Sequence, residues 1–250
     1  MLRTALAKAV RWGMLSRNVA ALTDAPKAER LEYHVLNPVQ ARVFLDAVRG
    51  DRLEALYTVA LGLGLRQGEA IGLRWQDVDL ERGTLTARHA LQRVKLEPDQ
   101  PARKVLVETK TARSRRTLAL PGVVLSGLRE HRARQLQERL LAGSRWVETD
   151  LVFSTRNGTA ATNTYITRLF QAHLERAGLP RMRFHELRHS AASLLIAQGA
   201  PLRTVMEVLG HSTITLTANV YGHLLDEARQ EAASAMDRAL GHSHVSYGLS

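Results

Sequence analysis

Leu2, Leu6, Ala9, Val10 and Leu15 recur at helical spacing with basic residues between them, which predicts an amphipathic helix over residues 2–15. Ser16 to Arg30 is mixed and polar and carries Pro26, the composition of a linker. A helix opening near Pro38 should run to about Val48, because proline suits a first turn, where its missing N–H has no partner to lose. An apolar helix should follow over about Leu53 to Leu63, with Gly62 and Gly64 as its stop signal. Between Gly83 and Leu120 the pattern changes to short β-compatible segments, LTARHAL, KVLVET and RRTLAL, separated by polar or proline-containing turns. From Val123 onward helices return, expected over about 123–141, 162–177, 186–198, 202–208, 214–221 and 224–240. Gly199 and Gly210 fall where helix ends are expected. The tail GHSHVSYGLS has no periodicity and reads as flexible. The pattern predicts a mainly α fold with a small antiparallel β-sheet, an α+β class without internal repeats.

Composition adds little to that picture, but charge changes it. Hydrophobic residues are 45% of the 250-residue chain and charged residues 24%, which is ordinary for a globular protein able to bury a core. Lys and Arg total 35 against 24 acidic residues, a formal charge of +11. Such a surplus favours a polyanionic partner, nucleic acid being the commonest; the plainer alternative is a basic surface that only aids solubility. There is no cysteine, which excludes disulfides and cysteine-ligated metal sites and is compatible with a reducing cytosol. The longest apolar run, Leu56 to Leu65, is about half of what a bilayer-spanning helix needs. Arg3, Lys8 and Arg11 interrupt the apolar residues at the N-terminus, which therefore lacks a signal-peptide core. The expectation is a soluble cytoplasmic protein.

Candidate chemistry concentrates in four segments. These are LGLGLRQGEAIGLRW (61–75), VETKTARSRRTLALP (107–121), HELRHSAASLL (185–195) and LGHSTITLTANVYGH (209–223). In order and content they resemble the tyrosine recombinase family, the phage integrases in particular, from about Leu36 to Leu240. The resemblance implies a DNA strand transferase that works without metal, ATP or any other cofactor. A tyrosine hydroxyl attacks a phosphodiester, expels a 5′-hydroxyl and leaves a 3′-phosphotyrosine. Negative charge gathers on the non-bridging oxygens, and arginine suits them because its planar fork holds two oxygens and stays charged.

By the same resemblance, Arg66 and Arg188 correspond to the family's two catalytic arginines, and Tyr221 to the nucleophile. On their own, Arg66 could merely cap the preceding helix and Arg188 could be a solvated helical residue. Glu69, three residues after Arg66, cannot help an anionic phosphate directly but could orient Arg66, a supporting role. Lys110 matches the β-hairpin lysine that protonates the leaving 5′-oxygen; Lys104 is a nearby competitor on the same hairpin. Arg113, Arg115 and Arg116 would contact DNA phosphates, or else form a solvated basic turn. His185 matches the histidine that assists proton transfer at the nucleophile, with an ordinary pKa suited to that work. His211, ten residues before Tyr221, matches a second hydrogen-bond donor to the scissile phosphate. His189 packs against the site or supports it. Tyr247, in the tail, lacks that spacing from a histidine.

Other readings remain open at this point. HELRH is also a literal H-E-x-x-H zinc-protease motif, with Glu186 as general base. Ala192 and Leu195 stand where the extended motif wants glycine and a third histidine, which leaves Glu207 as a third ligand. A recombinase-derived regulator without catalysis and a topoisomerase-like nicking enzyme are further alternatives. Members of the family usually carry an N-terminal core-binding domain that closes a clamp around DNA. Residues 1–22 resemble only its last helix, 23–35 the linker, 36–240 the catalytic domain and 241–250 a flexible tail. The chain alone should then bind double-stranded DNA weakly and recombine inefficiently. The partners implied are DNA, as part of the nucleoid, and further copies in a homotetramer, with a monomer in free solution. The apolar stripe from Leu224 to Ala239 would pack either within the chain or on a neighbouring subunit.

Overall fold

A computed structural model of the chain describes residues 2–24, 34–94, 103–108, 115–210, 234, 236–238 and 240. The chain divides into two units, Met1–Glu32 and Tyr33–Ser250. In the first, the N-terminal apolar stripe forms helix α1 (Leu2–Arg11), shorter at its C-terminal end than its periodicity suggests. The chain folds back so that Arg3 Nη2 donates to the Ala21 carbonyl at 2.7 Å and Asn18 Nδ2 donates to the Arg3 carbonyl at 2.8 Å.

The second unit opens with α2 (Pro38–Ala47), started by Asn37. Its side chain accepts from the Gln40 N–H while the Gln40 side chain accepts from the Asn37 N–H, so two otherwise orphaned helix donors are satisfied. Helix α3 (Glu54–Leu63) is the apolar run of the sequence, and it is buried on almost every side. Its neighbours are α5 (Gly122–Ala142) on one side and α7 (Glu186–Ala197) on the other. Being wrapped by helices explains why it carries no polar face. No described helix is long and apolar enough to cross a membrane. Between α3 and α5 lies α4 (Gln67–Ile71), a short turn of helix that the apolar spacing alone did not predict.

The β segments follow α4: β1 (Val78–Asp79), β2 (Thr84–Ala87), β3 (His89–Val94), β4 (Arg103–Glu108) and β5 (Arg116–Ala119). Among the described residues all strand pairings are antiparallel, in two sheets, β1-β2-β5 and β3-β4. The segment LTARHAL therefore supplies strands to both. The switch falls at Arg88, where the buried Asp77 carboxylate pairs with Arg88 at 3.4 Å and His89 at 3.1 Å. Those two contacts pin the chain at the point where it leaves one sheet for the other.

Helix α6 (Asn163–Arg176) packs against α2, and α8 (Leu202–Leu209) against α7. Phe44, Tyr57, Phe170 and Phe184 form the aromatic centre, with edge-to-face pairs at centroid distances of 5.5 Å. Ser190, fully buried, ties α7 to the start of the unit: its Oγ accepts from the Leu36 N–H at 2.9 Å and donates to the Glu186 carbonyl at 2.8 Å. The helices expected over 214–221 and 224–240 lie outside the described residues, apart from the helical positions 234, 236–238 and 240.

Candidate active site

The turn after α3 organises the candidate residues. Gly64 ends that helix in the left-handed region, at φ 60°. A Cβ there would stand 2.5 Å from Leu209 Cδ2 and 3.4 Å from Ala191 Cβ, so only glycine lets α7 and α8 approach this closely. The Gly64 carbonyl accepts a hydrogen bond from Arg188 Nη1 at 2.7 Å. Arg188 is 2% exposed, hence not a solvated helical residue. Its guanidinium is thereby fixed beside the start of the Arg66 turn.

Arg66 does not cap α3; it stands at the N-cap of α4. Glu69, buried in α4, accepts from the Arg66 N–H at 3.0 Å and from Arg66 Nη1 at 2.8 Å. Arg66 Nη2 also reaches the Gly210 carbonyl at the end of α8, at 3.3 Å. Burial by itself would raise the Glu69 pKa. The charge and hydrogen bond of Arg116, then the N–H and charge of Arg66, outweigh it and hold the carboxyl below its ordinary range.

His185 stands at the N-cap of α7, one turn before Arg188. It keeps an exposed face, yet its pKa is lowered, first by partial burial and then by Arg188, Arg66 and Arg183, against the opposing pull of Glu186. At neutral pH the imidazole is therefore neutral and able to accept a proton. His189 meets it edge to face, 5.2 Å between centroids. Burial, His185 and Arg188 push the His189 pKa down to about 4. The arrangement collects two arginines and a neutral base around one turn, which suits stabilising an anionic oxygen while taking up a proton.

A phage integrase family model matches residues 34–228. The chain belongs to the phage integrase family. Among relatives of this integrase chain is a protein named tyrosine recombinase XerC-like from Caldanaerobacter subterraneus subsp. tengcongensis, 35% identical over 249 residues. That match takes in 94% of this chain and 63% of the relative. An integrase of Streptomyces ambofaciens is 33% identical, with 94% and 61% covered, and one of Saccharopolyspora erythraea is 28% identical, with 94% and 64% covered. The chain thus spans somewhat under two thirds of these relatives' length. Among solved structures, the Tn1549 transposon integrase in complex with a circular intermediate DNA superposes with a TM-score of 0.71 at 23% identity, covering 93% of this chain and 76% of that one. XerA recombinase gives 0.62 at 21% identity, covering 85% and 66%. At these identities the structural likeness establishes the fold, the mainly α architecture with a small antiparallel β component expected of an integrase.

The candidate site residues divide by location. Arg66, Glu69, His185, Arg188 and His189 are together around the Gly64 turn. Lys110, Arg113, His211 and Tyr221 lie outside the described residues, as does Tyr247. Lys104, the competitor to Lys110, donates to the Ala160 carbonyl at 2.7 Å. Arg115 is exposed and pairs with Glu108 at 3.2 Å, an exposed contact of little strength that a phosphate can displace.

Arg116 departs from the expected phosphate contact. Its side chain is 8% exposed and faces inward: Nη2 binds Glu69 Oε2 at 3.0 Å and Nε binds the Val208 carbonyl at 2.7 Å. The reason is strand alternation. In β5 the buried Leu118 and Arg116 are two residues apart and share a face, whereas Thr117 and Ala119 face solvent. That alternation was present in RRTLAL, but a basic run reads as surface until the strand register is known.

The H-E-x-x-H reading fails on geometry. Glu186 is buried with its carboxylate turned to Arg183, accepting from the Arg183 N–H at 2.5 Å and from its guanidinium at 3.2 and 3.3 Å. Glu207 pairs with Arg203 on the outer face of α8. Among the described residues no group of three or more His, Cys, Asp or Glu side chains is placed to hold a metal ion. Arg183 itself was missed from sequence. It acts on His185 by charge, and the only signal was a basic residue two positions before the histidine.

Proposed function

We propose that this chain is the strand-cleaving and rejoining domain of a site-specific DNA recombinase, acting through a 3′-phosphotyrosine intermediate without metal or ATP. The observation that carries the reading is the convergence of Arg66 and Arg188 on the Gly64 turn beside a neutral His185. The two guanidiniums would hold the non-bridging oxygens as charge builds on them. Tyr221 Oη would form the bond to phosphorus as the bond to the 5′-oxygen breaks. The phenol proton passes toward His185, and Lys110 protonates the departing 5′-oxygen. His211 would donate a hydrogen bond to the phosphate, while Glu69 and His189 support the first-named groups. Reversal of the same steps with a new 5′-hydroxyl rejoins the strand, since the phosphoester bond is exchanged and not hydrolysed.

Double-stranded DNA is the proposed substrate, with Arg113 and Arg115 at flanking phosphates, in the nucleoid. On DNA the active assembly would be a homotetramer, and in free solution a monomer. Residues 1–22 would be the last helix of a core-binding domain, 23–35 a linker, 36–240 the catalytic domain and 241–250 a flexible tail. The test is incubation with nicked duplex DNA followed by denaturing electrophoresis. A covalent protein–DNA adduct, insensitive to chelator and lost in Tyr221→Phe, is the expected outcome. DNA binding without any adduct would instead favour a non-catalytic regulator.

A further inference from the structure

Glu69 presents a physical difficulty for the site. Its carboxylate orients Arg66, but one carboxylate against one guanidinium is a neutral pair, and a neutral pair attracts a phosphate poorly. Arg116 resolves the difficulty. It approaches the same carboxylate from the far side, with Nη2 at 3.0 Å from Oε2 and Nη1 at 3.4 Å from Oε1, so the trio carries a net positive charge. Exposure separates the two arginines: the Arg66 side chain is 42% exposed and that of Arg116 8%. Only Arg66 can reach a DNA phosphate, while Arg116 stands behind it.

The same guanidinium also grips α8. Arg116 Nε donates to the Val208 carbonyl at 2.7 Å, and Arg66 Nη2 to that of Gly210 at 3.3 Å. Both arginines therefore bind the last turn of α8, immediately ahead of the segment that carries His211 and Tyr221. Strand β5, helix α4 and the end of α8 are joined through one carboxylate and two carbonyl oxygens.

We propose that Arg116 is a positioning residue for strand cleavage, which fixes Arg66 through Glu69 and anchors the chain leading to Tyr221 through the Val208 carbonyl. The proposal rests on the recombinase reading above. It places a cation of the basic run inside the protein, in the service of the reacting groups, and not on the DNA.

The test is single-turnover cleavage of nicked duplex DNA at saturating concentration, with affinity measured separately across a salt series. Wild type, Arg116→Met, Arg116→Lys, Glu69→Gln and the Glu69→Gln/Arg116→Met pair are compared. Arg116→Met should cut the saturating rate on the order of ten- to a hundredfold, as small misplacements of a reacting group do. Its affinity should fall far less than its rate, since the charge lost is one among several, and its salt slope should stay near the wild-type value because Arg116 itself touches no phosphate. Arg116→Lys should recover part of the rate, and the double variant should be no slower than the worse single one, because both act through one carboxylate. Weaker binding with a salt slope shallower by about 0.9 and an unchanged saturating rate would make Arg116 a phosphate contact and overturn the proposal. A smaller reactive fraction at an unchanged rate in both Arg116 variants would reduce it to a folding role and overturn the proposal equally. A wild-type chain that forms no adduct overturns the recombinase reading and this proposal together, whereas full-rate cleavage by Arg116→Met overturns the proposal alone.

Discussion

His185 and His189 sit one helical turn apart, edge to face, among three arginines, and both are held neutral where a free histidine would begin to charge. Their lowered pKa values have consequences on both sides of folding. The unfolded chain binds a proton at each histidine near pH 6.5, while folded His189 does so only near pH 4. The stability tied to His189 is therefore complete above about pH 6.5 and is lost progressively as pH falls toward 4. Thermal unfolding should show a lower melting temperature at pH 4.5 than at pH 7, with part of the fall removed in His189→Gln. An equal fall in both proteins would show that His189 has no part in it. Cleavage should follow the same sign, because His185 accepts a proton only when neutral: the rate should hold from pH 7.5 to pH 6.5 and decline below. At this scale the sequence was partly legible. Glu69 lies within one turn of Arg66, and local spacing suffices to suggest their pairing. Arg183 and Glu186 have the same three-residue spacing and are a local pair of the same kind, whereas the burial of Arg188 depends on what packs over α7, which no local spacing encodes.

At the scale of elements, the turn between α3 and α4 is the joint on which the candidate site depends. Gly64 supplies a left-handed φ, a carbonyl for Arg188, and the absence of a side chain where α8 presses in. Gly64→Ala should cost about 1–2 kcal/mol for the left-handed backbone alone, with roughly 1–3 kcal/mol more as Leu209 gives way. Chemical denaturation measures that loss. Cleavage should fall further than the loss of folded protein explains, because Arg188 loses its fixed carbonyl; a variant destabilised yet cutting at full rate would contradict the assignment. Sequence periodicity predicted most helices of this region to within a few residues, since each buries an apolar stripe. It did not predict α4. That element buries the carboxylate of Glu69 as well as Ala70 and Ile71, so its inner face is partly polar. The segment LTARHAL read as one strand because alternation continues through the bend. The switch between sheets depends on Asp77, about a dozen residues earlier, in the turn just before β1.

For the molecule as a whole, the charge of +11 sets how it should meet DNA. Each phosphate neutralised by Lys or Arg contributes about −0.9 to the slope of log affinity against log salt. With four such contacts, affinity should weaken on the order of a hundredfold between roughly 50 and 200 mM salt. Fluorescence anisotropy with a labelled duplex measures this directly, and a salt-independent affinity would remove the electrostatic case for DNA as partner. A cleft of about 870 Å³ bordered by Arg52, Arg134, Glu138 and Tyr165 holds none of the candidate catalytic residues. The proposed duplex substrate would be engaged over an exposed surface, for which a deep enclosed pocket is not needed.

By itself the sequence determined the class of fold, the order of most elements and the residue types available for chemistry, because apolar periodicity and local motifs are properties of neighbouring positions. Only the tertiary structure decided which cations face outward. Arg66 remains exposed and Arg116 is enclosed, although both belong to basic, motif-bearing segments, because strand alternation and the end of α8 turn Arg116 inward onto Glu69. Likewise only the packing of α7 and α8 on the Gly64 turn brought Arg188 to Arg66 across more than a hundred residues of chain. A buried charge survives only where distant elements supply its partners, and those partners are set by the fold.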